Sequence, residues 1–258
     1  MTRFNYVSLA FALSWFLGSS SVAHSAAQTS TTVLKLKKPG FLESEVVLHE
    51  CPGVKDSALS RQGRWAGTMV VLHGSGGAAG IAGLAEMMSQ SACNHRLRLA
   101  VPAAPTRNRN WPFESAIGER QDEYLLGLIK KDIPSAWKNS LASDSPMLVI
   151  VGISAGATFL MGDFYPRHAH KLKGRALALC GGAWPSQDKI VGYKRLDAEF
   201  PLFVQIGKSD FLFEQVRAGL TKYAHMGLPL QASFTEAPGH CAFDFNAAVD
   251  AVMKVSSK

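Results

Sequence analysis

The stretch Val149-Ile150-Val151-Gly152-Ile153-Ser154-Ala155-Gly156-Ala157 runs an apolar strand directly into Gly-x-Ser-x-Gly, and a helix-compatible segment follows. An exposed nucleophilic serine requires that context. A sharp strand-to-helix turn holds the hydroxyl at the carboxyl end of a sheet, and the flanking glycines leave room for close packing. Two further polar residues close apolar runs downstream. Asp210 ends Gly207-Lys208-Ser209-Asp210 after the run Pro201–Ile206, and His240 ends Ala237-Pro238-Gly239-His240 after Leu230–Phe234. In an open parallel sheet this is the side where ligands gather. The order Ser, Asp, His then suits a nucleophile at Ser154, proton transfer through His240, and Asp210 orienting the imidazole. Asp163 and Asp244 are weaker acids for the role, because one falls in the helix after Ser154 and the other is a helix N-cap. Asp197 precedes its strand and lies at the wrong end.

Attack on an acyl carbon builds negative charge on its carbonyl oxygen, so backbone N–H groups must wait for it. The N–H of Ala155 is one donor. The loop His73-Gly74-Ser75-Gly76-Gly77, after the run Met69–Leu72, supplies the second through Ser75, with Gly76 as the alternative. The same loop fits a dinucleotide fingerprint, Gly74-Ser75-Gly76-Gly77-Ala78-Ala79. That reading needs a carboxylate about 20 residues on. The sequence offers Cys93, Asn94 and His95 there, and no cofactor is expected.

These residues need a scaffold. Val33–Lys37 and Glu45–Glu50 read as strands separated by Pro39-Gly40. Further short apolar runs occur at Met69–Leu72, Leu97–Val101, Met147–Val151, Ala176–Leu179, Pro201–Ile206 and Leu230–Phe234. Helical stripes lie between them, at Ile81/Leu84/Met87/Met88, at Phe213/Val216/Leu220/Tyr223 and at Phe245/Val249/Val252. Alternating strands and helices predict an α/β fold, with a mostly parallel sheet, an antiparallel N-terminal edge hairpin and helices on both faces.

The chain has 258 residues, 47% hydrophobic and 18% charged, which excludes a disordered chain. Lys and Arg number 27 against 20 Asp and Glu, a net +7 that by itself identifies no partner. Arg3, the apolar stretch Val7–Leu17 and the small residues up to Ala27 predict a signal peptide over residues 1–27, cleaved after Ser25 or Ala27. The mature catalytic domain is then residues 28–258, secreted or periplasmic, with no stable membrane insertion. In that compartment Cys51, Cys93, Cys180 and Cys241 are expected to pair, as Cys51–Cys93 and Cys180–Cys241. No metal site is expected: His168-x-His170 lacks companion ligands, and the stretch Arg167–Arg175 reads as a solvated basic surface. Nucleic-acid binding lacks a stacking-aromatic pattern.

Together these motifs resemble the α/β-hydrolase superfamily, in its small secreted serine esterases of the dienelactone hydrolase, carboxylesterase and polyester-depolymerase type. Val101-Pro102-Ala103-Ala104-Pro105 followed by Trp111 is similar to a segment of carboxylesterases and acyl-protein thioesterases. The nucleophile is a serine, unlike the cysteine of dienelactone hydrolases proper. The resemblance implies hydrolysis of small-molecule or polymer-derived carboxylic esters. A peptidase or thioesterase on the same triad, and a non-catalytic binding protein on the scaffold, are the alternatives. Trp111, Trp184 and Phe211, with Phe113 and Tyr193, are candidates to line an acyl or aryl pocket, and Arg107 or Arg109 to read a carboxylate.

Overall fold

Each of these apolar runs is a strand in the computed structural model, which describes residues 30–51, 65–111, 120–137, 142–184, 199–226 and 230–255. The leader, Phe113, Tyr193 and Asp197 lie outside the described residues. Strands β1 (Ser30–Leu36), β2 (Ser44–Glu50), β3 (Trp65–Leu72), β4 (Leu97–Pro102), β5 (Ala142–Ile153), β6 (Gly174–Leu179), β7 (Leu202–Gly207) and β8 (Leu230–Thr235) form one sheet. Their order is β1-β2-β4-β3-β5-β6-β7-β8. β2 pairs antiparallel with both β1 and β4, and the remaining pairs are parallel. The edge hairpin and the parallel body are both as the sequence predicts.

Strand alternation sorts the core into two layers. Met69, Val71, Val149, Val151, Leu177 and Leu179 face α1 (Ile81–Asn94) and α7 (Phe245–Lys254), through Ile81, Ala85, Met88, Ala248, Val249 and Val252. Val70, Leu72, Ile150, Ala176 and Ala178 face the other layer. That layer contains α2 (Gln121–Gly127) and α3 (Ile133–Ala136), joined by a π turn, Leu128–Asp132. It also holds a helical run after β5, which passes from α4 (Ala155–Phe159) through a π turn (Leu160–Phe164) to α5 (Tyr165–His168), and α6 (Phe213–His225). Met87 departs from the predicted stripe and is 44% exposed, because the buried positions of α1 follow 81, 85, 88 and 92 instead. Among the described residues, no helix is long and apolar enough to cross a membrane.

The stretch Arg167–Arg175 is a solvated basic surface only in part. Lys171 and Lys173 are exposed as expected, but His168 is buried with its Nε2 3.0 Å from Asp122 Oδ2, and Ala169 and Leu172 are buried too. Arg120 and Arg167 approach the same carboxylate at 3.2 and 3.7 Å, so α2 is fastened to α5 by charge. Burial opposes ionisation of Asp122, but the hydrogen bonds from His168 and Arg120 outweigh it and hold its carboxyl well below the usual range. A depressed folded-state pKa stabilises the fold above the unfolded-state value, near about 4, and that stabilisation is lost as pH falls through the depressed value. Asp122→Ala removes the acceptor that His168 and Arg167 share, although Arg120 keeps Glu123. Urea unfolding at neutral pH should show a loss of about 3 kcal/mol. The difference from the unaltered protein should shrink as the pH is taken below about 4.

Candidate active site

Ser154 sits at the turn from β5 into α4 with φ 51 and ψ −112, a conformation rare for a residue with a side chain. The turn is closely packed. A Cβ at Gly156 would meet the Leu72 carbonyl oxygen at 2.3 Å, and one at Gly152 would meet that of Gly156 at 2.6 Å, so both flanking glycines are sterically required. The Ser154 N–H donates to the Leu179 carbonyl at 2.9 Å, which fixes the turn against β6.

β7 and β8 bring the other two groups to this point. Ser154 Oγ lies 3.0 Å from His240 Nε2. On its far side, His240 Nδ1 is 2.8 and 2.9 Å from the two carboxylate oxygens of Asp210. Asp210 is buried and also accepts the N–H groups of Leu212 at 2.9 Å and Cys241 at 3.3 Å. A carboxylate so enclosed requires a donor at Nδ1. His240 therefore carries its proton on Nδ1 and turns a lone pair on Nε2 toward the serine hydroxyl. Asp163 is buried in the helical run after Ser154, and Asp244 caps α7 by accepting the Ala247 N–H at 3.1 Å.

The loop after β3 lies against the serine, where a Cβ at Gly74 would be 3.3 Å from that of Ser154. The peptide planes of this loop are set by their acceptors. The Gly74 carbonyl accepts His73 Nδ1–H at 2.7 Å and the Gly77 N–H at 3.2 Å. A trans peptide then directs the Ser75 N–H the opposite way. The Gly76 N–H is taken by Asn110 Oδ1 at 2.7 Å. His73 is buried, which pushes its imidazole down from the usual value. Its Nε2 accepts the Ala104 N–H at 3.1 Å, so both ring nitrogens are engaged and the neutral ring acts as a strut. Ala155 is the first residue of α4, where a helical N–H has no partner within the helix.

A cleft of about 270 Å³ joins Ser75, Ser154 and Ala155 to Trp111, Thr158, Phe211, Leu212 and Gln215. Trp111 is buried and stacks on Phe159 at 5.1 Å, whereas Phe211 is 76% exposed, with its ring 4.6 Å from that of His240. Trp184 lies outside this lining, packed by α6 beneath Lys222, whose Nζ is 4.4 Å from the ring centroid. Arg107 and Arg109 also lie outside it. Two clusters among the described residues each bring three residues of metal-ligating type together, but neither is a free donor set. The sulfurs of Cys180 and Cys241 are bonded to each other, and the Arg120 guanidinium already bridges Asp122 and Glu123 beside His168.

The fold recurs in solved structures. A ferulic acid esterase matches with a TM-score of 0.61 at 14% identity, over 87% of this chain and 96% of that one. The chain has the α/β-hydrolase fold. An S-formylglutathione hydrolase from Agrobacterium tumefaciens matches at 0.61 and 17% identity, over 89% and 95% of the two chains. A phospholipase/carboxylesterase from Dyadobacter fermentans matches at 0.55 and 18%, over 85% and 99%. No family model matches the sequence, and no curated protein matches it significantly.

Both expected disulfides are present in this hydrolase fold. Cys51–Cys93 ties the end of β2 to α1, and Cys180–Cys241 ties the end of β6 to the His240 loop. Replacing Cys180 and Cys241 together by alanine should cost about 2–4 kcal/mol in urea unfolding. It should also slow labelling of Ser154 by a fluorophosphonate, since the imidazole hydrogen-bonded to the serine loses its tether.

Proposed function

We propose that the chain is an exported serine esterase that cleaves carboxylic esters through an acyl-enzyme on Ser154. The observation that carries this reading is the continuous relay from Asp210 through His240 to Ser154, opening on a cleft that also contains Ser75 and Ala155. His240 Nε2 takes the hydroxyl proton as Ser154 Oγ bonds to the acyl carbon. Negative charge moves to the carbonyl oxygen, which the N–H groups of Ser75 and Ala155 receive. Collapse breaks the bond to the alkoxy oxygen, and His240 returns its proton to the leaving alcohol. A water then repeats the sequence: His240 takes a proton from it, the acyl carbon transfers from Ser154 to the hydroxide, and the proton goes back to Ser154. Asp210 stays ionised throughout and stabilises the imidazolium.

Among the described residues lining the cleft, none bears a formal charge, and Trp111, Phe211 and Leu212 make much of it apolar. That favours uncharged acyl and aryl esters over charged peptides. Occupation of the Gly76 N–H by Asn110 favours Ser75 over Gly76 as the second oxyanion donor. A binding protein on this scaffold has no need of the strained serine or of an aligned imidazole. The two disulfides and the leader read in the sequence support export.

Release of p-nitrophenol from short-chain esters tests the reading. Ser154→Ala should lower kcat by at least about 10⁴-fold and abolish fluorophosphonate labelling. Wild-type protein that neither turns over nor becomes labelled rejects it. Because Phe211 lies against His240, which protonates the leaving group, it is placed to meet that part of the ester. Phe211→Ala should therefore raise KM for aryl esters about 2- to 10-fold, the value of one aromatic contact, and change KM for methyl esters less.

A further inference from the structure

Gly74-Ser75-Gly76-Gly77 is a four-residue turn closed by the Gly77 N–H on the Gly74 carbonyl at 3.2 Å. Gly76, at φ 73 and ψ 0, has the conformation of the third residue of a type II turn. Such a turn converts to type I by rotation of its central peptide, here the bond from Ser75 to Gly76. The N–H of that peptide is the one held by Asn110 Oδ1 at 2.7 Å, from 34 positions along the chain. Because the partner is an N–H, the Asn110 oxygen faces it, and the amide orientation is fixed.

Asn110 is itself held on a firm base. Its N–H donates to Thr106 Oγ1 at 3.0 Å, and that hydroxyl is 2.9 Å from the Asn110 carbonyl. The next residue, Trp111, is buried on Phe159 of α4. The same segment reaches the start of the turn as well, since the Ala104 N–H donates to His73. The loop after β4 thus clamps the turn on both sides of Ser75.

We propose that Asn110 is a positioning residue of the reaction: through the Gly76 N–H it pins the turn at the residue after Ser75, so that the loop, and with it the Ser75 N–H, stays in place beside Ser154 and aimed at the oxyanion. The proposal rests on the ester-hydrolysis reading. Oxyanion donors act by being in place before charge develops, so a turn released from its anchor on Asn110 loses stabilisation of the transition state and little of the substrate's ground-state affinity. A flipped peptide also swings the Ser75 carbonyl to where the Gly76 N–H was.

The test measures kcat and KM on p-nitrophenyl acetate for Asn110→Ala, together with inhibition by a trifluoromethyl ketone, whose adduct with serine carries the oxyanion. Expected are a fall in kcat of about tenfold or more with KM nearly unchanged, and a matching loss of inhibitor affinity. Thr106→Val, which removes the hydroxyl beneath Asn110 without changing its shape, should give the same pattern more weakly, and it serves if Asn110→Ala does not fold. Wild-type kcat and inhibitor affinity in the folded variants overturn the role of Asn110, as does a rise in KM alone. A wild-type protein with no turnover and no labelling at Ser154 overturns the hydrolase reading instead.

Discussion

The register between β3 and β5 is the constraint on which the site depends. Leu72 is paired with Gly152 in a parallel ladder, so the loop leaving β3 and the turn leaving β5 start at the same level. That alignment puts Gly74 against Ser154. A slip of one residue would reverse every side chain of β5 and send Val149 and Val151 into the wrong layer. The ladder continues outward: Ile153 pairs with Leu179, Leu179 with Gln205, and Gly207 with Thr235. Each successive strand therefore delivers its carboxyl end to the same rim. The apolar sorting that stabilises the sheet and the convergence of Ser154, Asp210 and His240 have one cause.

On that rim, chemistry is decided by which polar groups are already occupied. Asp210 accepts from His240, Leu212 and Cys241, so it is fixed as an acceptor and fixes the tautomer of its partner. His73 spends both ring nitrogens on backbone and cannot serve as a base. The Gly74 carbonyl and the Gly76 N–H are taken too. Ser75 and Ala155 both line the cleft beside the serine, and the Gly76 N–H, already taken by Asn110, is not free to serve there.

The local parts of this were legible in the sequence. All eight apolar runs are strands, and Gly-x-Ser-x-Gly reads correctly because an apolar strand precedes it. What escaped was long-range or polar. The helical segments from Gln121 to Ala136 carry a buried Gln121 and Asp122, which interrupt the apolar stripe that marks a helix. His168 looked like part of a basic surface because its acidic partner lies 46 residues away. Asn110 and Gly76 meet across 34 residues, and composition carries no trace of such a bond. Trp111 was read as a pocket residue; it is that, but it is also buried core under the nucleophile helix. Trp184, an aromatic residue too, is partly exposed beneath Lys222 and lies outside the cleft lining.

The placement of the second disulfide follows from the same architecture. β8 is an edge strand, paired only with β7, and four of its six residues are exposed. His240 thus hangs from an edge of the sheet, while Ser154 follows β5, near the centre. Proton transfer demands that the two stay within hydrogen-bond distance. Asp210, on β7, restrains the imidazole by one group of contacts. The Cys180–Cys241 bond adds a covalent link across β7 to β6, whose end also accepts the Ser154 N–H. Cys180 and Cys241 both adopt positive φ, 46 and 56, as does Ser154 at 51. The strained backbone of Ser154 and the two anchors of the His240 loop therefore adjoin one another, and the tether shortens the mechanical path from His240 to Ser154 to a single interstrand step.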